Sequence, residues 1–417
     1  MPEQPKKPLG LFSLVTLGIN ATIGVGIFFA PSEVAQSTPG FIGSWVYVLT
    51  GLALIPVAFA YGVLGGKFAE DGGPYVWARL SFGPRAAFFI GWLTYISSLL
   101  SSATVVTGLT THIVHITGPD VMSQKAWALL SVGALSLTAA SGLTLSSLAW
   151  STLTVLKLLP LLLLCLLAVG STLLGTAPPP AASAAASAPD VARALLTVVF
   201  ALQGFEVVPV LAGNASVQRA VSWATIGSLI VCTLFYAVLH AICVYAVPDL
   251  GKEAAPLVAA AKVYGGEFWA RLLSAGQIVS ALGIAFGQYV TTPRYLSALG
   301  RPDGLGTWVG VTDARQVPQR ALWITALGAA IFVLREDLGG LFALSSIAVL
   351  AQYAVSVLAL ALLARRGHHG VERKHMLWAL PALIGILLVA RGAEPKELLT
   401  TAAVTALGAL LLLIPKR

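Results

Sequence analysis

Two charged residues stand where charge is expensive. Lys157 lies inside the apolar run Leu153-Thr154-Val155-Leu156-Lys157-Leu158-Leu159-Pro160-Leu161, and Glu206 closes the run Phe200-Ala201-Leu202-Gln203-Gly204-Phe205-Glu206. An ionisable side chain at membrane depth is costly unless it is paired, solvated or neutralised. Lys157 is roughly eleven residues into its run, or about 16 Å at the rise of an α-helix. Taken alone it is either a snorkelling lysine reaching the interface or a buried group able to release and regain a proton. Glu206 has two readings, as a cap on backbone donors freed beside it or as a proton-sensing or gating carboxylate. The third feature is a pair of glycine-interrupted runs, Asn20-Ala21-Thr22-Ile23-Gly24-Val25-Gly26-Ile27-Phe28 and the Phe200–Glu206 run itself.

Glycine is unfavourable in a helix interior and permits backbone conformations that other residues avoid. It also serves as a close-packing residue between membrane helices. An unwound stretch inside a membrane is tolerated only against protein or a wet cavity, because its N–H and C=O groups otherwise lack partners. A half-helix starting near Gly26 presents free N–H groups and a positive dipole end, which suit a carboxylate. Half-helices ending near Thr22–Ile23 and Phe200–Leu202 present carbonyls, which suit an ammonium. Both together suit a zwitterionic α-amino acid.

The elements that must hold these residues are membrane helices. Of 417 residues 57% are hydrophobic and only 10% charged, against about 25% charged in ordinary soluble domains, and the mean hydropathy is +0.86. Apolar runs of roughly 17–25 residues exclude a soluble or disordered chain and read as helices, since a barrel shows shorter alternating segments. Twelve spans are expected near 11–36, 42–66, 85–116, 125–141, 146–174, 192–212, 222–247, 267–293, 319–335, 338–364, 376–391 and 396–414. Lys and Arg then divide 16 to 8 in favour of the side holding both termini, which the positive-inside rule assigns to the cytoplasm. The first apolar run is too long for a cleaved signal peptide. The low-complexity stretch Pro178–Pro189 reads as an outer linker, and the longest polar segments are 66–84, 295–320 and 365–375. One membrane domain, 1–417, is expected. Within it lie a five-helix unit (10–174), a second (190–364) and two extra helices (376–414). Glycine breaks at matching positions, in the first helix of each unit, are the sequence mark of inverted-repeat transporters.

The net charge of +8 is spread over helix ends and calls for no nucleic-acid partner. Cys165, Cys232 and Cys243 fall singly in apolar runs and read as small core residues. His112, His115, His240, His368, His369 and His375 form no metal-ligand spacing, so neither a metal nor a cofactor is expected. No phosphate loop is present; Gly65-Gly66-Lys67 lacks the upstream glycine.

The segment Ile23-Gly24-Val25-Gly26-Ile27-Phe28, followed by Pro31, resembles the signature of the amino acid–polyamine–organocation transporter superfamily. Phe200-Ala201-x-x-Gly204-Phe205-Glu206 resembles that family's second broken helix. The run around Lys157 is similar to the lysine-bearing helix of its bacterial proton-coupled and L-type members, which implies that its ammonium carries a coupling proton or is a fixed stand-in for a sodium ion, tying the first apolar segment to the eighth. Pro293-Arg294-Tyr295-Leu296-Ser297-Ala298-Leu299-Gly300-Arg301-Pro302-Asp303-Gly304 resembles its cytoplasmic arginine–tyrosine–leucine–aspartate–glycine segment, with Pro302 as an apparent insertion. The resemblance implies a leucine-transporter-like fold, two inverted five-helix repeats plus two helices. It also implies sodium-independent amino acid transport by alternating access across the cytoplasmic membrane, by proton coupling or exchange. By position, Thr22, Ile23, Gly24, Val25 and Gly26 would line one side of the substrate site, and Phe200, Ala201, Leu202 and Gly204 the other, with Phe200 as an aromatic gate. No further acid or base stands beside this pocket in the sequence, which favours neutral L-amino acids. The alternatives are a cationic amino acid or polyamine exchanger, or an exporter. A channel or a membrane-embedded enzyme is the rival of another class; Lys157 and Glu206 alone make a poor catalytic constellation. The expected partners are an amino acid, protons and the lipid bilayer, with no obligate protein partner.

Overall fold

A computed structural model describes residues 10–68, 73–118, 120–142, 147–180, 188–210, 218–301 and 304–413. The polar N-terminus, the middle of Pro178–Pro189, Pro302–Asp303 and the last four residues lie outside the described residues, and so do the expectations that fall on them. The described residues form helices and no strand. In order these are α1 (Leu11–Thr22), α2 (Gly26–Ser37), α3 (Ile42–Lys67), α4 (Pro74–Phe82), α5 (Pro84–Thr117), α6 (Gln124–Ala140), α7 (Ser147–Leu173), α8 (Val191–Leu202), α9 (Val207–Val210), α10 (Gln218–Ala246), α11 (Pro256–Gly265), α12 (Glu267–Ala298), α13 (Thr307–Gly310), α14 (Gln319–Arg335), α15 (Leu338–Arg366), α16 (Ala379–Ala390) and α17 (Pro395–Leu413).

Among the described residues nine helices are long and apolar enough to cross a bilayer, and α1 and α2 make a tenth span bent by 55°. Helices α6 and α14, of 17 residues each, complete the twelve expected segments. The chain is an all-α polytopic membrane protein. Helix α5 is enclosed, 78% of its apolar window being buried, whereas only 11% of that of α17 is, so α17 turns its leucines to lipid. Helix α3 packs along α10, α5 lies against α12 and α15, and the broken pair α1–α2 runs between α10 and α8.

The polar segments contain structure that composition does not advertise. In 66–84, α4 buries Val76, Trp77 and Ala78 against α5 and α15, and Pro74 and Pro84 start α4 and α5 in the position where a missing N–H costs nothing. The loop before α14 is folded around Asp313. Its carboxylate accepts hydrogen bonds from the backbone N–H groups of Arg315 and Val317 and from the Gln319 side chain. These bonds favour the ionised carboxylate and hold its pKa below the ordinary range, the Gln319 bond first.

Candidate functional site at the two helix breaks

The two breaks meet backbone to backbone. Helix α1 stops at Thr22 and α2 begins at Gly26, while α8 stops at Leu202 and turns through Gly204 into α9. Gly204 has φ of +123°, a region that disfavours side chains. A Cβ added there would stand 2.5 Å from the carbonyl carbon and oxygen of Ala21 and from the Thr22 nitrogen. A Cβ on Gly26 would stand 2.9 Å from the Ala201 Cα and 3.2 Å from the Phe200 ring. The glycines at these positions therefore let two interrupted helices touch where their polar ends are exposed.

The freed groups find partners from elsewhere in the fold. Lys157, only 7% exposed, donates from Nζ to the Asn20 carbonyl at 2.5 Å. The Tyr236 hydroxyl of α10 donates to the Thr22 carbonyl at 3.0 Å. Both satisfy acceptors that α1 leaves open at its C-terminal end. Glu206 accepts from the Gly204 N–H at 2.7 Å, the bond the capping reading anticipates, with the Tyr353 ring beside it. The expected bridge from Lys157 thus reaches the first helix. Among the described residues no hydrogen bond from its ammonium to α12 is found.

The expected lining residues are gathered, with differences among them. Thr22, Ile23, Val25, Gly26, Phe200, Ala201, Leu202 and Gly204 are all buried. Gly24 meets only ordinary packing. Val25 turns toward Gly108 of α5, and Leu202 has no exposed surface at all. Two groups that sequence reasoning passed over stand one turn below Phe200 and Phe342. They are the Gln203 side-chain nitrogen and the Ser346 hydroxyl, both buried with no hydrogen-bond partner. Such groups cost free energy until something polar meets them.

An aromatic layer closes this region from one side. Phe200 of α8 stacks on Phe342 of α15 with centroids 4.3 Å apart and planes at 18°. One turn further out, Thr197, Leu338 and Phe29 form the floor of a vestibule of about 680 Å³, open to the face opposite the start of α1. Phe29 in turn packs on His112 at 4.7 Å. Glu33 of α2 lines this vestibule. It is a carboxylate inside the first span, missed because the sequence shows no acid beside the pocket unless the face of α2 is known. A rotation of 100° per residue from Gly26 does place Glu33, seven residues on, above it on the same face. On this wall Arg193 of α8 pairs with Glu397 of α17 at 2.8 Å. No group of metal-ligating residues is found among the described residues.

Interrupted helices meeting at mid-depth, with polar ends held by side chains of neighbouring spans, define a membrane protein with an internal polar site. The chain belongs to the amino acid permease family, whose model matches residues 9–393. It is 23% identical over 385 residues to the mitochondrial cationic amino acid transporter 3 of Arabidopsis thaliana, covering 86% of this chain and 62% of that protein. It is 26% identical over 372 residues to an uncharacterized transporter of Mycobacterium tuberculosis, covering 85% of this chain and 80% of the other. It is 24% identical over 351 residues to the arginine/ornithine antiporter of Pseudomonas aeruginosa, covering 80% and 72%. The chain thus spans less than two thirds of the plant relative's length. The names of the family and of these relatives are those of transporters, not of enzymes.

Proposed function

We propose that this chain is a secondary transporter that carries amino acids through the helix breaks by alternating access, and that its substrates bear cationic side chains. The observation that carries the reading is the contact of the two breaks, Gly204 on Ala21–Thr22 and Gly26 on Ala201. It puts the N–H end of α2 and the carbonyl end of α1 within one α-amino acid's reach. Thr22, Ile23, Gly24, Val25 and Gly26 line the carboxylate and amine positions, with Phe200, Ala201, Leu202 and Gly204 opposite. The Gln203 amide and the Ser346 hydroxyl supply polar contacts on the same level. Phe200 with Phe342 gates the site from the vestibule. Lys157 holds the unwound α1 where a sodium ion would otherwise be needed, and its protonation couples the cycle to protons or fixes the site for exchange. Glu206 acts through Gly204, by setting the geometry of the second break.

A cationic substrate accords better with Glu33 at the vestibule wall than a neutral one does, and the names of two of the relatives favour the same class. The protein works in the cytoplasmic membrane with both termini inside, as one transport domain of two five-helix units and two peripheral helices. Purified protein in liposomes tests this with labelled arginine, ornithine and leucine, each with and without a pH gradient. Saturable arginine uptake that exceeds leucine uptake is expected, with its pH dependence abolished in Lys157→Ala. Saturable uptake of none of them refutes the reading, a preference for leucine refutes its substrate class, and an unchanged pH profile in Lys157→Ala refutes the role of that lysine.

A further inference from the structure

The vestibule outside the Phe200–Phe342 layer holds chemistry that the central site does not use. Most of its charges are already satisfied. Arg193 is taken by Glu397 at 2.8 Å, Lys252 by Asp249 at 3.4 Å, and Glu336 by Lys396 at 3.1 Å. Asp337 caps α15 by accepting the Gly340 N–H at 2.8 Å. Glu33 differs. Among the described residues it has neither an ion pair nor a side-chain hydrogen bond, and it is half-buried. Its Oε2 lies 2.8 Å from where a Cβ on Gly339 would stand, so the glycine in the first turn of α15 makes the room the carboxylate occupies. The charges that reach it are those of Asp337 and of Arg193, the latter already paired with Glu397.

A second observation is independent of these acids. Thr107 of α5 is 7% exposed, lines the same cavity, and carries a buried hydroxyl with no hydrogen-bond partner. The cavity, about 680 Å³, lies within the ~300–1,000 Å³ typical of small-molecule sites. Lys125 and Arg335 stand at its rim, exposed and without an ion pair among the described residues.

We propose that this vestibule is a binding site in its own right for an amino acid with a cationic side chain. Glu33 and Asp337 take the ammonium or guanidinium, the Thr107 hydroxyl accepts from it, and Lys125 and Arg335 face the carboxylate. This rests on the cationic substrate class proposed above and adds a second station, separated from the helix breaks by the aromatic layer. The charges give it selectivity: a neutral amino acid leaves Glu33 unpaired, and an acidic one is repelled by it.

Equilibrium dialysis of the purified full-length protein against labelled arginine tests the proposal. Two arginines per chain are expected. Glu33→Gln, close in shape to the native residue, should weaken one of them by at least about tenfold, the loss typical of a charge-assisted bond. Thr107→Val should weaken the same one severalfold, while Gln203→Ala should weaken only the other. A single arginine that Glu33→Gln abolishes and Gln203→Ala keeps also supports the site. Two arginines unaffected by Glu33→Gln overturn it, as does a single arginine lost in both variants or kept by Glu33→Gln. Displacement of the Glu33-dependent arginine by millimolar calcium, with saturable calcium binding of its own, overturns the assignment in favour of an inorganic cation. Binding of no arginine at all overturns this proposal and the substrate class together.

Discussion

Replacing Gly204 by alanine perturbs the contact on which the site depends. The residue holds φ of +123°, and forcing a side chain into such a region costs about 1–3 kcal/mol. The added methyl would also stand 2.5 Å from the Ala21 carbonyl and the Thr22 nitrogen. These are backbone atoms that cannot rotate aside, and overpacking of this kind costs about 1–3 kcal/mol more. A total of about 2–6 kcal/mol is several times what a surface change costs. Even its lower end corresponds to a roughly thirtyfold shift between conformations. Gly24→Ala is the matched control: its Cβ would meet nothing nearer than the Thr22 carbonyl oxygen at 3.8 Å. Thermal unfolding in detergent, with arginine uptake normalised to protein in the bilayer, separates the two. Gly204→Ala should unfold at clearly lower temperature and lose at least tenfold in uptake, whereas Gly24→Ala should keep the wild-type unfolding temperature. Equal stability of the two variants would refute the close approach of the breaks.

Three other perturbations follow from the geometry. Glu206→Gln keeps an oxygen for the Gly204 N–H and should be mild, whereas Glu206→Ala leaves that donor bare and should destabilise by about 1–3 kcal/mol; denaturation of both variants in detergent checks the contrast. Arg193→Ala and Glu397→Ala each leave a partly enclosed charge without its partner at 2.8 Å, and a double-mutant cycle on stability should return a coupling of about 1–3 kcal/mol. The Asp313 carboxyl sits below its ordinary value of 3.8. Its contribution is therefore complete above that pH and is lost as the pH falls through its lower folded value. Hydrogen exchange in 311–319 should accelerate in that acid window and be independent of it in Asp313→Asn.

Hydropathy was enough to delimit the spans, because lipid-facing and core-facing residues alike must be apolar and every backbone group must bond within its own helix. The helix breaks were legible for the same reason: Gly24, Gly26 and Gly204 interrupt runs that had every other cause to continue. The Gly204–Glu206 hydrogen bond joins near neighbours, so a cap was one of the two readings open to Glu206. Glu33 could not, since one acid in a long apolar run barely alters its average, and its meaning depends on α15 lying opposite. The Arg193–Glu397 pair joins residues far apart in the chain, and nothing in either local sequence names the other. Helix α4 escaped because a short amphipathic helix between a glycine pair and a proline has the composition of a loop. Neutral substrates were the expectation because no second acid stands near the breaks along the chain; the cationic class proposed above draws instead on Glu33, which faces the cavity from α2.

In the proposed mechanism an amino acid crosses through the paired breaks by exchange between two closed arrangements. Counterflow tests it most directly. Liposomes bearing the purified protein are loaded with unlabelled arginine, and entry of trace labelled arginine is followed from outside. Transient accumulation above equilibrium, absent from empty liposomes and from the Gly204→Ala variant, is the predicted result. Entry that is unaffected by internal arginine would contradict the account, because a pore behaves in that way and an alternating site does not.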